Sequence, residues 1–149
     1  MAADSLERYD YSRLFKAREL RRRGSPKEAI EPLQQVVEQH SAFYLGWFNL
    51  ALALDAIRDS GAAADAYQRA MQLEPDQAER DASIYNTYGH FLCRNQQHQE
   101  ALALFDRALA INPAHALSQN NKAVLEQALR DLPTARTSLS GDAVRDEAP

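Results

Sequence analysis

Two stretches of this chain, Trp47 to Pro75 and Tyr85 to Pro113, carry the same residue classes at the same spacings from end to end. In the first, Trp47, Leu50, Ala51 and Leu54 are followed by Ala63, Tyr67, Ala70 and Pro75. In the second, Tyr85, Tyr88, Gly89 and Leu92 are followed by Ala101, Phe105, Ala108 and Pro113. Large apolar residues at i, i+3 and i+7 with a small one at i+4 put one stripe on one helix face, and the small residue lets a neighbouring helix approach closely. Ala, an aromatic and Ala at 0, 4 and 7 do the same for a second helix. Each unit is therefore a pair of antiparallel helices, and two consecutive units exclude most architectures except a helical repeat.

This column pattern resembles the tetratricopeptide repeat, whose signature is W-x2-L-G-x2-Y, then A-x3-F, then P, over about 34 residues. Trp47-x2-Leu50-Ala51-x2-Leu54 and Tyr85-x2-Tyr88-Gly89-x2-Leu92 match its first helix, helix A; Ala63-x3-Tyr67 and Ala101-x3-Phe105 match its second, helix B. Projected outward, the columns find Ala17, Leu20, Ala29 and Leu33 upstream, and Ala123, Ala135 and Leu139 downstream, with Lys122 where a large apolar residue is expected. The resemblance implies an all-α, right-handed solenoid of three to four repeats: about 10–43, 44–77, 82–115 and a partial 116–139, forming one domain over 1–139. The closing residues 140–149 lack periodicity and read as a flexible acidic tail. Weak outer units suit terminal repeats, which face water on one side.

Local chemistry sets the expected boundaries. Ser25-Pro26-Lys27-Glu28 supplies an N-cap serine, proline at the first helical position and glutamate at N3, and Asp59 and Asp131 fall in the column of Ser25. Pro75 and Pro113 should end their helices. Pro32 lies inside an expected helix and predicts a kink or a late start. Four extra residues near Ala78 to Asp81 separate the two strong repeats and should lengthen the following helix by about one turn.

The 45% hydrophobic and 26% charged composition, with five Gly and six Pro, is that of a helical globular chain. The single cysteine, Cys93, cannot close an intramolecular disulfide. No signal-like or membrane-length apolar run occurs, so the expectation is a cytoplasmic protein without membrane insertion. Residues 1–43 hold 8 Arg/Lys and 7 Asp/Glu within a chain of net charge −4 and pI about 5.5. That balance speaks against nucleic acid, which calls for a basic face and a basic pI. Trp47, Tyr67, Tyr85, Tyr88 and Phe105 occupy packing columns and read as core, with a cost of about 3–5 kcal/mol for truncating Trp47.

The resemblance further implies that helix A of each repeat lines a concave binding groove, through repeat positions 2, 5, 6, 9, 12 and 13. Carried over by column, it nominates Arg18, Arg21 and Arg22; Phe48, Asn49, Leu52 and Asp55; Asn86, His90 and Arg94; and Asn120, Asn121 and Gln127. Amides can bond both N–H and C=O of an extended peptide, and an arginine fork can hold a carboxylate at two points. The family's carboxylate clamp for chaperone tails is not expected: only Asn49 falls in its column, while Leu14, Arg18, Ser83 and Thr87 replace the other basic or amide residues. The implied partner is a protein or peptide bound by an adaptor. The alternatives are a self-associating scaffold, making a homo-oligomer, or an assembly factor. Two narrower likenesses suit the last: Tyr88-Gly89-x-Phe91-Leu92-Cys93 with Phe105-Asp106-x-Ala108-Leu109 looks like type IV pilus pilotins, and NPAHALSQNNKAV after Ile84-Tyr85-Asn86 looks like the photosystem I assembly branch.

No enzyme, cofactor or metal is expected. His90 and Cys93, with His98 nearby, lack the second ligand pair of a closed zinc site, and a Cys-His nucleophile on a rigid helix has no oxyanion-hole signal beside it.

Overall fold

Identical hydrogen-bonded turns recur at one repeat position in three places. Gly24, Arg58 and Gln96 occupy the same column and all adopt positive φ, at 88°, 67° and 66°. In each case the next residue sends its N–H back five residues, Ser25 to Leu20, Asp59 to Leu54 and Gln97 to Leu92. This left-handed stop satisfies carbonyls that the ending helix leaves open. It turns the chain from helix A into helix B every time.

The computed structural model describes residues 8–73 and 81–132. They form seven helices and, among the described residues, no strand: α1 Arg8–Arg22, α2 Pro26–Gln39, α3 Tyr44–Ala56, α4 Ser60–Gln72, α5 Ala82–Arg94, α6 His98–Ile111 and α7 Ala116–Asp131. The chain divides into two compact units, Met1–Ile84 and Tyr85–Pro149, the boundary falling in the first turn of α5. In the first unit α1 packs on α2, α2 on α3 and α3 on α4, and α1 also touches α3; in the second α6 packs on α7.

The helix B columns are the core. Ala29, Ala63 and Ala101, then Leu33, Tyr67 and Phe105, then Val36, Ala70 and Ala108 are each 1% exposed or less. The helix A small-residue column, Ala17, Ala51 and Gly89, is buried as well. Gly89 is required there for a packing reason. A Cβ built on it would lie 2.7 Å from Phe105 Cε1, well inside van der Waals contact.

Several expectations change. Trp47 is only partly buried, because its indole N–H reaches the Ser41 carbonyl at 2.9 Å near the surface, so truncating it costs less than a core aromatic would. Tyr67, Tyr85, Tyr88 and Phe105 are buried. Ser25 stands at the N-cap of α2, with Pro26 in the first turn, yet its side chain makes no capping bond. Asp59 does cap α4, accepting from the Ala62 N–H at 3.3 Å. Helix α2 does not start late: it runs from Pro26 through Pro32 to Gln39.

The four-residue insertion does not lengthen α5, which starts at Ala82 and has the same 13 residues as α3. Asp81 stands outside it and caps it, accepting from the Ser83 N–H at 2.9 Å. Helix α6 ends at Ile111, just before Pro113, as expected. Asp131 is the last residue of α7, taking a bond from Gln127 Nε2 at 2.8 Å, and the helix it was expected to cap lies outside the described residues. Ala123 is exposed, and α7 buries Ser118, Leu125 and Leu129 instead. Lys122, at the column where an apolar residue was expected, reaches Asp106 on α6 at 2.7 Å. Pro75, Ala135, Leu139 and the tail 140–149 lie outside the described residues.

Candidate functional site

Helix A positions 2, 5, 6, 9, 12 and 13 can be followed on each unit separately. In the first unit α1 presents Tyr11, Phe15, Arg18 and Arg22, spaced i, i+4, i+7 and i+11, which fall on one face. All four are exposed, Tyr11 by 54% and Phe15 by 69%. Arg22 is held by Glu19 at 2.7 Å, and Arg23 shares the same carboxylate at 3.0 Å. Hydrogen bonds from Arg22 and then Arg23 keep the Glu19 carboxyl below its ordinary range.

Arg21 sits differently, half-buried. Burial first, then the charge of Arg18, pushes its guanidinium pKa down, while Tyr67 pulls the other way. On α3, Phe48, Leu52 and Asp55 are partly buried, Phe48 stacking at a tilt on Tyr67 with centroids 6.0 Å apart. Asn49 is buried, and its amide donates to the Leu45 carbonyl one turn back at 2.8 Å. In this conformation that N–H is engaged by the protein's own backbone.

In the second unit His90 and Arg94 are exposed on α5, with the Arg94 guanidinium 5.9 Å from the Phe91 ring centroid. Asn86 is buried, and its Oδ1 accepts from Ser118 Oγ at 3.2 Å and from Asn121 Nδ2 at 2.9 Å. Ser118 Oγ also lies 2.7 Å from His115 Nδ1. Asn86 and Asn121 are thus brought together with Ser118 in a polar tie between α5 and α7, where a buried amide finds partners and avoids the desolvation cost. Asn120 and Gln127 are exposed on α7, Gln127 engaged with Asp131 and Arg130.

The sequence reading nominated Phe48 and Leu52 on these faces but passed over four large apolar side chains on α1 and α7. Tyr11 and Phe15 occupy positions 2 and 6 of the first repeat. Leu117 and Val124 occupy positions 2 and 9 of the last, exposed by 63% and 60%. Counting positions from the repeat start would have found all four, because the core columns leave those positions outside.

A recurring pair supports the helix A to helix B contact. Arg69 lies over the Trp47 ring at 5.8 Å, and one repeat later Arg107 lies over Tyr85 at 4.5 Å, also donating to its hydroxyl at 3.1 Å. Cys93 is partly buried, and its thiol is pushed up by burial, with Arg94 opposing. Among the described residues no three His, Cys, Asp or Glu side chains group to hold a metal, and no described helix is long and apolar enough to cross a membrane.

Family models of the tetratricopeptide repeat match residues 16–78 and 82–115. Among curated proteins none matches this sequence closely enough to be called a relative. Solved structures share the fold. MamA aligns with a TM-score of 0.71 at 22% identity, covering 80% of this chain and 67% of MamA. YrrB, described as a TPR protein with an unusual peptide-binding site, gives 0.68 at 20%, covering 80% and 59%. The first TPR of Spaghetti (RPAP3), solved bound to the HSP90 peptide SRMEEVD, gives 0.73 at 19%, covering 82% and 94%.

Proposed function

We propose that this chain, which belongs to the tetratricopeptide repeat family, is a protein-interaction module that holds a peptide segment or partner helix on its helix A faces. One observation carries the reading. Large apolar side chains at helix A positions, Tyr11, Phe15, Leu117 and Val124, are left out of the core and stand in water. Exposed apolar residues clustered with polar ones are what recognition surfaces offer, since covering them releases the cost of hydrating them. Exposed Arg18 on the first unit, and exposed His90, Arg94 and Asn120 on the second, offer polar contacts on the helix A faces of each.

YrrB and Spaghetti, which share the fold, have peptide sites by description, and this makes peptide binding the natural use of the same faces here. The contacts must differ from those of the family's carboxylate clamp. At the clamp columns this chain has Leu14 and Asn49, both buried, and Arg18, Ser83 and Thr87. Binding of a short segment is expected at micromolar affinity, about −8 kcal/mol, because ordering a flexible ligand offsets part of the contact energy.

The test is affinity capture from the source extract with wild-type protein and a Phe15→Ser, His90→Ala, Arg94→Ala, Val124→Ser variant. All four residues are exposed, so the fold should survive, which circular dichroism checks. A partner held by wild type and lost by the variant supports the reading; equal capture by both refutes the assignment of the faces. A second reading, self-association, is favoured by Leu117, Val124 and Leu132, all exposed on or just after the last described helix. Concentration-dependent mass in sedimentation, abolished by Val124→Ser, would favour it over the first.

A further inference from the structure

Helix α1 concentrates positive charge in a chain that is otherwise acidic. Residues 8–23 carry seven basic and two acidic side chains, against ten basic and nineteen acidic in the rest of the sequence. The exposed stripe of α1 reads Arg8, Tyr11, Phe15, Arg18, Arg22, which extends about 21 Å along one face at the helical rise. Its cations are not equivalent. Glu19 already engages Arg22 and Arg23. No described carboxylate pairs with Arg18 or Arg21.

Those two stand three residues apart on one flank of the helix, and Arg21 is partly buried. Two neighbouring arginines, one of them partly buried and neither paired with a described carboxylate, form a place where an anion can be held between two like charges. On the stripe that Arg18 shares, Phe15 and Tyr11 offer two exposed aromatic rings about 5 and 10 Å further along the helix.

We propose that the α1 face is a docking surface for an acidic partner segment, with an apolar side chain seated on Tyr11 and Phe15 and carboxylates held by Arg18 and Arg21. This rests on the reading of the protein as an interaction module and names its ligand's chemistry. Charge complementarity selects the occupant: a planar fork suits a carboxylate held at two points, and the aromatic rings make the site more than an ion-exchange patch. Nucleic acid fits less well, because the basic surface is confined to one helix and the remaining sequence would repel phosphate. The chain's own acidic surface is the other candidate, and the test separates it.

The experiment is selection from a random peptide phage library on immobilised full-length protein, in parallel with an Arg18→Gln, Arg21→Gln variant and a Phe15→Ser variant. The best peptides are then measured by fluorescence anisotropy against salt. The expected result is enrichment of peptides with Asp or Glu a few residues from Leu, Phe or Trp. Their affinity should fall at least tenfold in either variant and weaken steeply as sodium chloride rises from 50 to 500 mM.

Selected peptides that are uncharged or basic, or acidic ones bound equally by both variants, overturn the α1 assignment while leaving the interaction module standing. No enrichment by any form of the protein overturns both. Tighter binding of a single-stranded oligonucleotide than of the best peptide, or a dimer that dissociates in the Phe15→Ser variant, shows that the face serves another occupant and also overturns the proposal.

Discussion

Gly89→Ala should destabilise the protein even though alanine is the better helix former. In an exposed helix the exchange gains about 1 kcal/mol. Here the new methyl would stand 2.7 Å from Phe105 Cε1 and 2.9 Å from Cδ1, where carbon atoms rest at about 3.5–4.0 Å. The ring is fully buried, as are Ala101 and Ala108 on its own helix, so a displacement of about 1 Å must be shared with packed neighbours. Overpacking of this kind costs about 1–3 kcal/mol, and contact with two ring atoms places it toward the upper end. The net expectation is a loss of about 1–2 kcal/mol, read as a lower urea midpoint at unchanged slope. Gly61→Ala is the control, since nothing lies within 4 Å of its added Cβ; it should be neutral or stabilising by up to about 1 kcal/mol. Phe105→Leu in the Gly89→Ala background should restore at least about 1 kcal/mol relative to additivity, because the colliding atoms are gone. A Gly89→Ala protein as stable as wild type, with no coupling to Phe105, would refute the packing account.

The remaining predictions concern turns, caps and the thiol. Arg58→Gly and Gln96→Gly should each stabilise by about 0.5–1 kcal/mol in urea melts, because each removes the left-handed strain of a side chain at φ near 67°; loss of stability in both would refute the shared-turn reading. Asp59→Ala should cost about 1 kcal/mol as a lost cap, whereas Ser25→Ala should cost almost nothing, since its side chain makes no capping bond; equal costs would contradict the geometry. Cys93 should react with a disulfide reagent at pH 8 at least tenfold more slowly than the unfolded chain, because burial disfavours its thiolate. Native and urea-unfolded rates that agree would show the thiol to be open.

The repeat was legible because packing repeats with it. Ala63 and Ala101, Tyr67 and Phe105, and Ala70 and Ala108 share columns because each meets the same kind of neighbour, and all six are buried. The left-handed turn was hidden, since Gly24 advertises it but Arg58 and Gln96 adopt the same φ without a glycine. Trp47 was misplaced because a column records size and not the need of an indole N–H for an acceptor, which draws it toward Ser41.

On the candidate site, periodicity assigned a face to Asn86 and Asn121 but could not reveal their contact, which joins residues 35 apart through the approach of two helices. Asn49 illustrates the same limit: a polar residue at a groove position can turn back on its own helix. Tyr11, Phe15, Leu117 and Val124 were passed over although they stand in the same set of helix A columns that nominated Asn49 and Leu52, and the burial pattern shows that all four stay outside the core.

The central claim, recognition through helix A, is tested most directly by backbone amide chemical-shift mapping with the best selected peptide titrated into labelled protein. The account predicts perturbations concentrated on α1, α3, α5 and α7, strongest around exposed helix A positions such as Phe15, His90 and Val124. Perturbations centred on α2, α4 and α6, with the helix A amides unmoved at saturation, would contradict it.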